Sequence, residues 1–140
     1  GILDVTLYFE GSGAYPWTAR RHLIVNLKTG QRVAPQQVFN NLNALAARVR
    51  KAQQEEIKSA TAEIKKEEPD LDVSEYFTRA NFTTKELANF SVNDRGVTFI
   101  YDYNFPHVIR ALEPDGRFFL SWAELKPFVR REGLFGRFVR

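Results

Sequence analysis

The chain has no cysteine and no methionine among its 140 residues, and it has only two histidines. Without cysteine it can form no disulfide and can hold no metal through thiolates. No apolar run approaches the roughly 18 residues of a membrane span, and the start lacks the basic and apolar regions of a signal peptide. Since the chain begins at Gly1 and contains no methionine, we expect it to be a trimmed or processed fragment.

Catalytic and metal-binding patterns are also missing. His22 and His107 are the only side chains that titrate near neutral pH unperturbed, and the serines are too scattered to indicate a hydrolytic triad. The acidic stretch at residues 67–72 lacks the loop glycine and distal glutamate of a calcium loop, so a solvated connection is the better interpretation. We therefore expect no catalytic residue, no metal and no cofactor, and the prediction is that the chain is not an enzyme.

The charge excess lies at the carboxyl end. The formal net charge is +3, yet residues 1–104 hold 13 Lys/Arg against 13 Asp/Glu, while residues 105–140 hold 7 against 4. The arginines of this tail alternate with aromatic residues, so one hypothesis is a surface for an anionic partner such as nucleic acid or a wall polymer. The other is that the aromatics pack on the core while the arginines stay solvated. We favour packing, and disfavour nucleic acid, because three net charges fall short of the usual basic patch.

Apolar periodicity predicts the elements of the first half. Partial alternation indicates strands at Ile2–Glu10 and Arg21–Leu27. The period then changes to about 3.6 over Asn41–Glu68, where Asn41 or Asn43 can cap a long helix that Pro69 ends. Such a helix could be a partner-binding arm, but its alanine-rich stripe favours packing against a sheet.

The second half is predicted to fold as a hairpin, a third strand and two short helices. Strands are expected at Ala88–Val92 and Val97–Tyr103 around the turn at residues 93–96, and again at Arg117–Trp122. Short helices are expected at Val73–Ala80 and Ala123–Arg130. With 44% apolar residues the chain can bury one core, so we expect one α+β domain over residues 1–140. Its predicted architecture is an antiparallel sheet of about five strands, with the long helix packed across one face and short flanking helices.

Three phrases of the chain resemble a bacterial family. They are GSGAYPWTARRHLIVNLKTGQRVAPQQVF, then NFSVNDRGVTFIYDYNFP, then RFFLSWAELKPFV. These are similar to the extracytoplasmic domains of unknown function found in the RsiV anti-sigma factor and in the non-catalytic part of a peptidoglycan deacetylase. The residues that carry the match are Gly13, Ala14, Pro16, Asn26, Thr29, Gly30, Phe39, Phe90, Gly96, Val97, Tyr101, Tyr103, Pro106, Leu125 and Lys126.

The chain departs from the family pattern at two places. Tyr15 stands where the family usually has histidine, and residues 107–116 replace a small-residue phrase. Family members also carry an additional N-terminal portion of strands and a helix. We therefore expect a fragment or a reduced version of the full module, with one sheet edge left open.

The resemblance implies a function and a compartment. It implies a non-catalytic extracytoplasmic recognition or sensing module in the periplasm, at the cell surface or secreted, whose partner is a cell-wall glycan or a wall-acting protein such as lysozyme. The alternative is an accessory or assembly domain of a larger envelope protein, which would use the open edge near residues 2–10 and the basic tail. Weak nucleic-acid binding is a third and lesser hypothesis.

Two loops are the predicted site, because they combine aromatic faces with hydrogen-bonding groups and because loops on a rigid sheet commonly carry recognition. Each has a structural alternative, namely partial burial for Trp17 and a packed turn for residues 103–106. The predicted ligand or partner residues are Tyr15, Trp17, Asp102, Tyr103, Asn104, Phe105, His107 and Arg110.

Overall fold

The computed structural model describes all 140 residues as an α+β fold with five strands. The strands are β1 (Ile2–Gly11), β2 (Trp17–Asn26), β3 (Phe90–Val92), β4 (Gly96–Ile100) and β5 (Arg117–Ser121). The helices are α1 (Pro35–Val38), α2 (Leu42–Glu67), α3 (Ser74–Phe77) and α4 (Trp122–Leu125), and short 3-10 helices lie at Glu86–Ala88, His107–Leu112 and Gly136–Phe138.

The five strands form two antiparallel sheets, so the predicted single five-stranded sheet is wrong. One sheet has the order β1-β2 and the other has the order β3-β4-β5. The reason lies at the outer edge of β3, where the backbone N–H of Val92 donates to the carboxylate of Asp4 at 2.8 Å instead of to a strand carbonyl. Close by, Arg32 donates to the carbonyl of Ala88. Side chains therefore attach the hairpin to the sheet, and no backbone ladder joins them.

The β1–β2 hairpin is longer than the sequence pattern predicts. Its register runs from the Ile2 and Asn26 pair to the Gly11 and Trp17 pair, so β2 begins at Trp17 and not at Arg21. The four added residues alternate too weakly in hydrophobicity to signal a strand, but their backbone pairs with β1. The placement of Trp17 in a loop is therefore wrong, because its ring lies over Gly11, where an added Cβ would meet it at 2.3 Å.

Helix α2 covers one face of the three-stranded sheet, as the packed alternative predicts. It begins after Asn41, whose side chain accepts from the backbone N–H of Ala44, and it ends at Glu67, close to both predicted bounds. The register of β3, β4 and β5 brings one face of apolar residues toward the helix. That face and the helix form the main core, whose largest contributors from these elements are Leu45, Val49, Phe90, Phe99, Phe118 and Leu120.

A smaller core lies beside the second half of α2. It contains Ile64, Val73, Phe77, Tyr103 and Phe105. The two short helices predicted around this region and after residue 122 are present but span a single turn each, Ser74–Phe77 and Trp122–Leu125. The smaller core fastens the segment after β4 against the helix.

The carboxyl-terminal aromatics pack inward, as the favoured hypothesis for the tail predicts. Phe135 is buried, and the ring of Phe138 stacks on Trp122 at 4.5 Å between centroids. The arginines of the tail stay exposed, and Arg130 donates from Nε to the carbonyl of Phe39. The basic-aromatic pattern of the tail is thus explained by core packing with solvated cations.

Candidate functional site between the hairpin and the sheet

A cleft of about 1070 Å³ separates the outer half of the hairpin from the end of the three-stranded sheet. One wall comes from β1 and β2 with Tyr8 and Arg20, and the opposite wall from the segment after β4 and the start of β5. The hairpin contacts the rest of the chain at its base through Asp4 and the buried Ile24, and at its tip through Tyr15.

The tip contact brings the two predicted recognition loops together. The rings of Tyr15 and His107 stack with centroids 5.5 Å apart and planes 27° from parallel. Both side chains are exposed, with Tyr15 at 69% of its full accessible area. Residues that are 92 positions apart in the chain therefore meet at the tip of the hairpin, although neither ring lines the cleft.

Three further predicted residues line the cleft itself. Asp102, Asn104 and Arg110 all border it. The loop that carries them is closed by Glu113, whose carboxylate accepts from the backbone N–H of Asn104 at 2.8 Å, while the Asn104 amide donates to the carbonyl of Asp102. Asn104 has a φ of 56°, a left-handed conformation that asparagine tolerates better than most residues. These hydrogen bonds hold the polar groups of the loop toward the cleft.

The remaining predicted residues lie elsewhere. Tyr103 and Phe105 are 8% and 1% exposed and belong to the smaller core, which agrees with the packed-turn alternative and leaves their rings out of reach of a ligand. The hydroxyl of Tyr103 donates to Glu56 of α2 at 2.7 Å, and burial together with this carboxylate raises the pKa of Tyr103 above its ordinary value. Trp17 is half exposed on the hairpin and does not line the cleft.

The cleft also contains residues that the sequence did not mark. Tyr8, Arg20, His22, Arg117 and Glu113 line it. Arg20 pairs directly with Tyr8 of β1, and its guanidinium lies over the Tyr8 ring at 5.1 Å from the ring centroid. Side chains alternate along a strand. If the sequence had predicted that β2 begins at Trp17, Arg20 and His22 would have been placed on the same face of the hairpin as Tyr8.

His22 forms the floor of the cleft. It is 8% exposed, and its Nδ1 lies 3.2 Å from the hydroxyl of Thr6. Its Nε2 has no hydrogen-bond partner within the protein, and neither has Oδ1 of Asp4. Burial lowers the pKa of His22, with the charge of Asp4 acting in the opposite direction. Burial therefore favours the neutral form of His22.

Other kinds of site are not built into the fold. No three histidine, aspartate or glutamate side chains come together in a way that could hold a metal ion. No helix combines the length and the apolar character needed to cross a membrane. No protein-family model matches the chain, and a search of curated proteins found no match either.

Proposed function

We propose that the chain is a non-catalytic extracytoplasmic recognition module that binds a cell-wall glycan or a wall-acting protein such as lysozyme. The observation that carries this proposal is the cleft itself, which gathers the predicted residues Asp102, Asn104 and Arg110 opposite Tyr8 and Arg20. The compartment and the partner class rest on the family resemblance described above. The cleft supplies what recognition needs, namely a concave surface with a few convergent polar groups.

The absence of a catalytic role is part of the proposal. Only one histidine lines the cleft, its ring is buried, and its Nδ1 is paired with Thr6. A general base must reach the proton that it abstracts, either directly or through one water. The exposed groups of the cleft are arginines, carboxylates and amides, which suit binding better than proton transfer near neutral pH.

Binding to purified wall components tests the proposal. In isothermal titration, we expect the intact chain to bind either a wall glycan tetramer or lysozyme. The exchange Tyr8→Ala should weaken binding about tenfold by removing an aromatic wall of the cleft. Phe119→Ala is the matched control, because Phe119 is a half-exposed aromatic that does not line the cleft. Absence of heat with both partners would remove the proposal.

A second candidate is assembly through the hairpin. Strand β1 pairs only with β2, so its other edge is free over ten residues. On its odd-numbered face, Leu3, Leu7 and Phe9 are 41–49% exposed. A second copy of the chain fits this edge, because antiparallel pairing about a two-fold axis at Thr6 would set Leu3 opposite Phe9 and Val5 opposite Leu7. Such pairing would extend the sheet and bring the two apolar rows side by side on one face.

The short edge suggests that such a dimer would be weak. Pairing through one strand edge involves about ten residues of each copy, fewer than the roughly 20–30 residues a side of a standard interface. Light scattering at increasing concentration should show a monomer–dimer equilibrium that Leu7→Lys abolishes and Phe119→Lys leaves intact. A wild-type chain that stays monomeric at millimolar concentration would exclude assembly by this edge.

A further inference from the structure

The cleft concentrates the positive charge of the protein. Its lining contains six cationic side chains and only three carboxylates, an excess that equals the formal net charge of +3 for the whole chain. The cations come from β2, from the segments before β3 and after β4, and from β5. They are Arg20, Arg21, Arg32, Lys85, Arg110 and Arg117.

Most of these cations have no partner of opposite charge. The chain has two ion pairs, and only one involves the cleft, where Arg117 lies 3.6 Å from the exposed carboxylate of Asp115. Arg32 is engaged with a backbone carbonyl at the base of the hairpin. Arg20, Arg110 and Lys85 have no carboxylate within ion-pair distance, so their charges are available to a ligand.

Two of the cations, Arg20 and Arg117, line the cleft together with the buried His22. The charges of Arg117 and Arg20 both act on His22, one from β5 and the other from β2, together with those of Asp4 and Asp102. The Nε2 atom of His22 is buried there without a partner in the protein. Since Arg20 and Arg117 line the cleft together with His22, an anionic ligand there would lie beside two guanidinium groups and partly buried protein, where electrostatic attraction is stronger than in bulk water.

The same cleft offers hydrogen-bond acceptors beside its cations. Asp102, Asn104 and Glu113 line it on the loop side. Sugar hydroxyls need acceptors as well as donors, whereas a ligand of phosphate groups alone would leave these acceptors without a partner. Proteins bind single-stranded nucleic acid by stacking its bases on aromatic rings. Nucleic acid fits this cleft less well, because its only aromatic rings are Tyr8 and Tyr101, and Arg20 already covers Tyr8.

We propose that the cleft binds an acidic saccharide, a sugar chain that carries carboxylate or phosphate groups, with Arg20, Arg110 and Arg117 holding the anionic group and the loop acceptors holding the hydroxyls. This inference rests on the proposed recognition function and names its ligand class. The cleft is thus expected to bind an acidic glycan more tightly than a neutral one.

The test compares saccharides that differ only in charge. The first is a tetramer of alternating N-acetylglucosamine and N-acetylmuramic acid, whose lactyl groups are carboxylates; the second is neutral chitotetraose; the third is chitotetraose with a 6-phosphate. In isothermal titration with the intact chain, the acidic tetramers should bind at least about tenfold more tightly than chitotetraose. Raising the salt from about 0.05 M to about 0.5 M should weaken their binding severalfold and leave that of chitotetraose unchanged. The stronger of the two acidic probes identifies the anionic group.

Charge-neutralising variants locate the site. We expect Arg20→Gln and Arg117→Gln each to weaken binding of the acidic tetramer about tenfold, since each removes a charge-assisted hydrogen bond. Arg79→Gln, an exposed arginine outside the cleft, should stay within about twofold. Unchanged thermal unfolding of all three variants confirms their folding.

Different failures have different meanings. Equal binding of chitotetraose and the acidic tetramers would overturn the acidic-saccharide inference while leaving wall-glycan recognition in place. Tighter binding of a single-stranded oligonucleotide than of any tetramer would overturn it in favour of nucleic acid. Binding of lysozyme alone would overturn it and leave recognition of a wall-acting protein, whereas no binding to any tetramer or to lysozyme would remove both proposals.

Discussion

Strands β1 and β2 each run for ten residues, twice the length of β4 and β5, yet His22 and Ile24 are the only buried residues in the hairpin. In β4, by contrast, four of the five residues are buried. The hairpin buries fewer residues because only the three-stranded sheet is covered by a second layer. Helix α2 covers the three-stranded sheet, whereas the odd-numbered face of the hairpin has no element over it. A two-stranded hairpin is only marginally stable by itself, so its contacts at base and tip matter.

Stability and the proposed recognition belong to different regions of the molecule. The body holds its aromatics in two packed clusters, while the hairpin buries only His22 and Ile24 and borders a charged cleft. If this division is correct, equivalent substitutions should act very differently in the two regions.

Deleting an aromatic ring should separate the two regions most clearly. Phe99 is fully buried against Phe39, Phe82 and Phe90, so Phe99→Ala should lower the free energy of unfolding by about 3–5 kcal/mol. Phe9 is 44% exposed, and Phe9→Ala should cost less than about 1 kcal/mol. Urea unfolding followed by circular dichroism measures both. Similar losses would mean that the hairpin is as tightly packed as the body.

The base of the hairpin should depend on one carboxylate. Asp4→Ala leaves the N–H of Val92 without its acceptor, which should cost about 1–3 kcal/mol and speed hydrogen exchange along β2. Asp4→Asn retains an acceptor oxygen and should preserve most of the stability. If the two variants lose equal stability, the hydrogen bond is not what holds the hairpin to β3.

The cleft floor should make stability depend on pH. Burial lowers the pKa of His22, so below the unfolded-state value of about 6.5 the unfolded chain binds more protons than the folded one. The free energy of unfolding should therefore fall as pH falls from about 6.5 toward 5.5, with a slope of at most about 1.4 kcal/mol per pH unit. His22→Gln should flatten this slope, and His107→Gln should leave it as it is. An equal slope in wild type and His22→Gln would place the titrating group elsewhere.

The tip contact should have the smallest energetic effect. A double-mutant cycle of Tyr15→Ala and His107→Ala in urea unfolding should give a coupling of about 0.5–1 kcal/mol, the usual value for a stacked aromatic pair. A cycle between Tyr15 and the distant Phe119 should give none. Zero coupling in the first cycle would show that the tip of the hairpin is free of the loop.

Local patterns predicted the elements but not their association. The 3.6-residue period and the cap at Asn41 place α2 almost correctly, because both signals lie within the helix. The division into two sheets depends on the Asp4 and Val92 hydrogen bond, whose residues are 88 apart in sequence. No pattern within either strand carries that information.

The residues of the candidate site were predicted only in part, because local patterns do not show which distant residues come together. The loop composition indicated Asp102, Asn104 and Arg110, which line the cleft, and Tyr15 and His107, which stack on each other at the tip of the hairpin. The burial of Tyr103 and Phe105 depends on the second half of α2 and on α3, which a loop pattern does not reveal. Arg20 and Arg117 belong to strands from different sheets, so their convergence on His22 is visible only in three dimensions.

The central claim is that the cleft between the hairpin and the sheet binds the ligand. The most direct measurement is an amide chemical-shift titration of the ¹⁵N-labelled chain with the acidic glycan tetramer. The account predicts that the shifts which move cluster on the cleft walls, on β2 around Arg20, on the loop around Asp102 and on β5 at Arg117. Perturbations confined to the exposed face of α2 or to the carboxyl-terminal tail would contradict it.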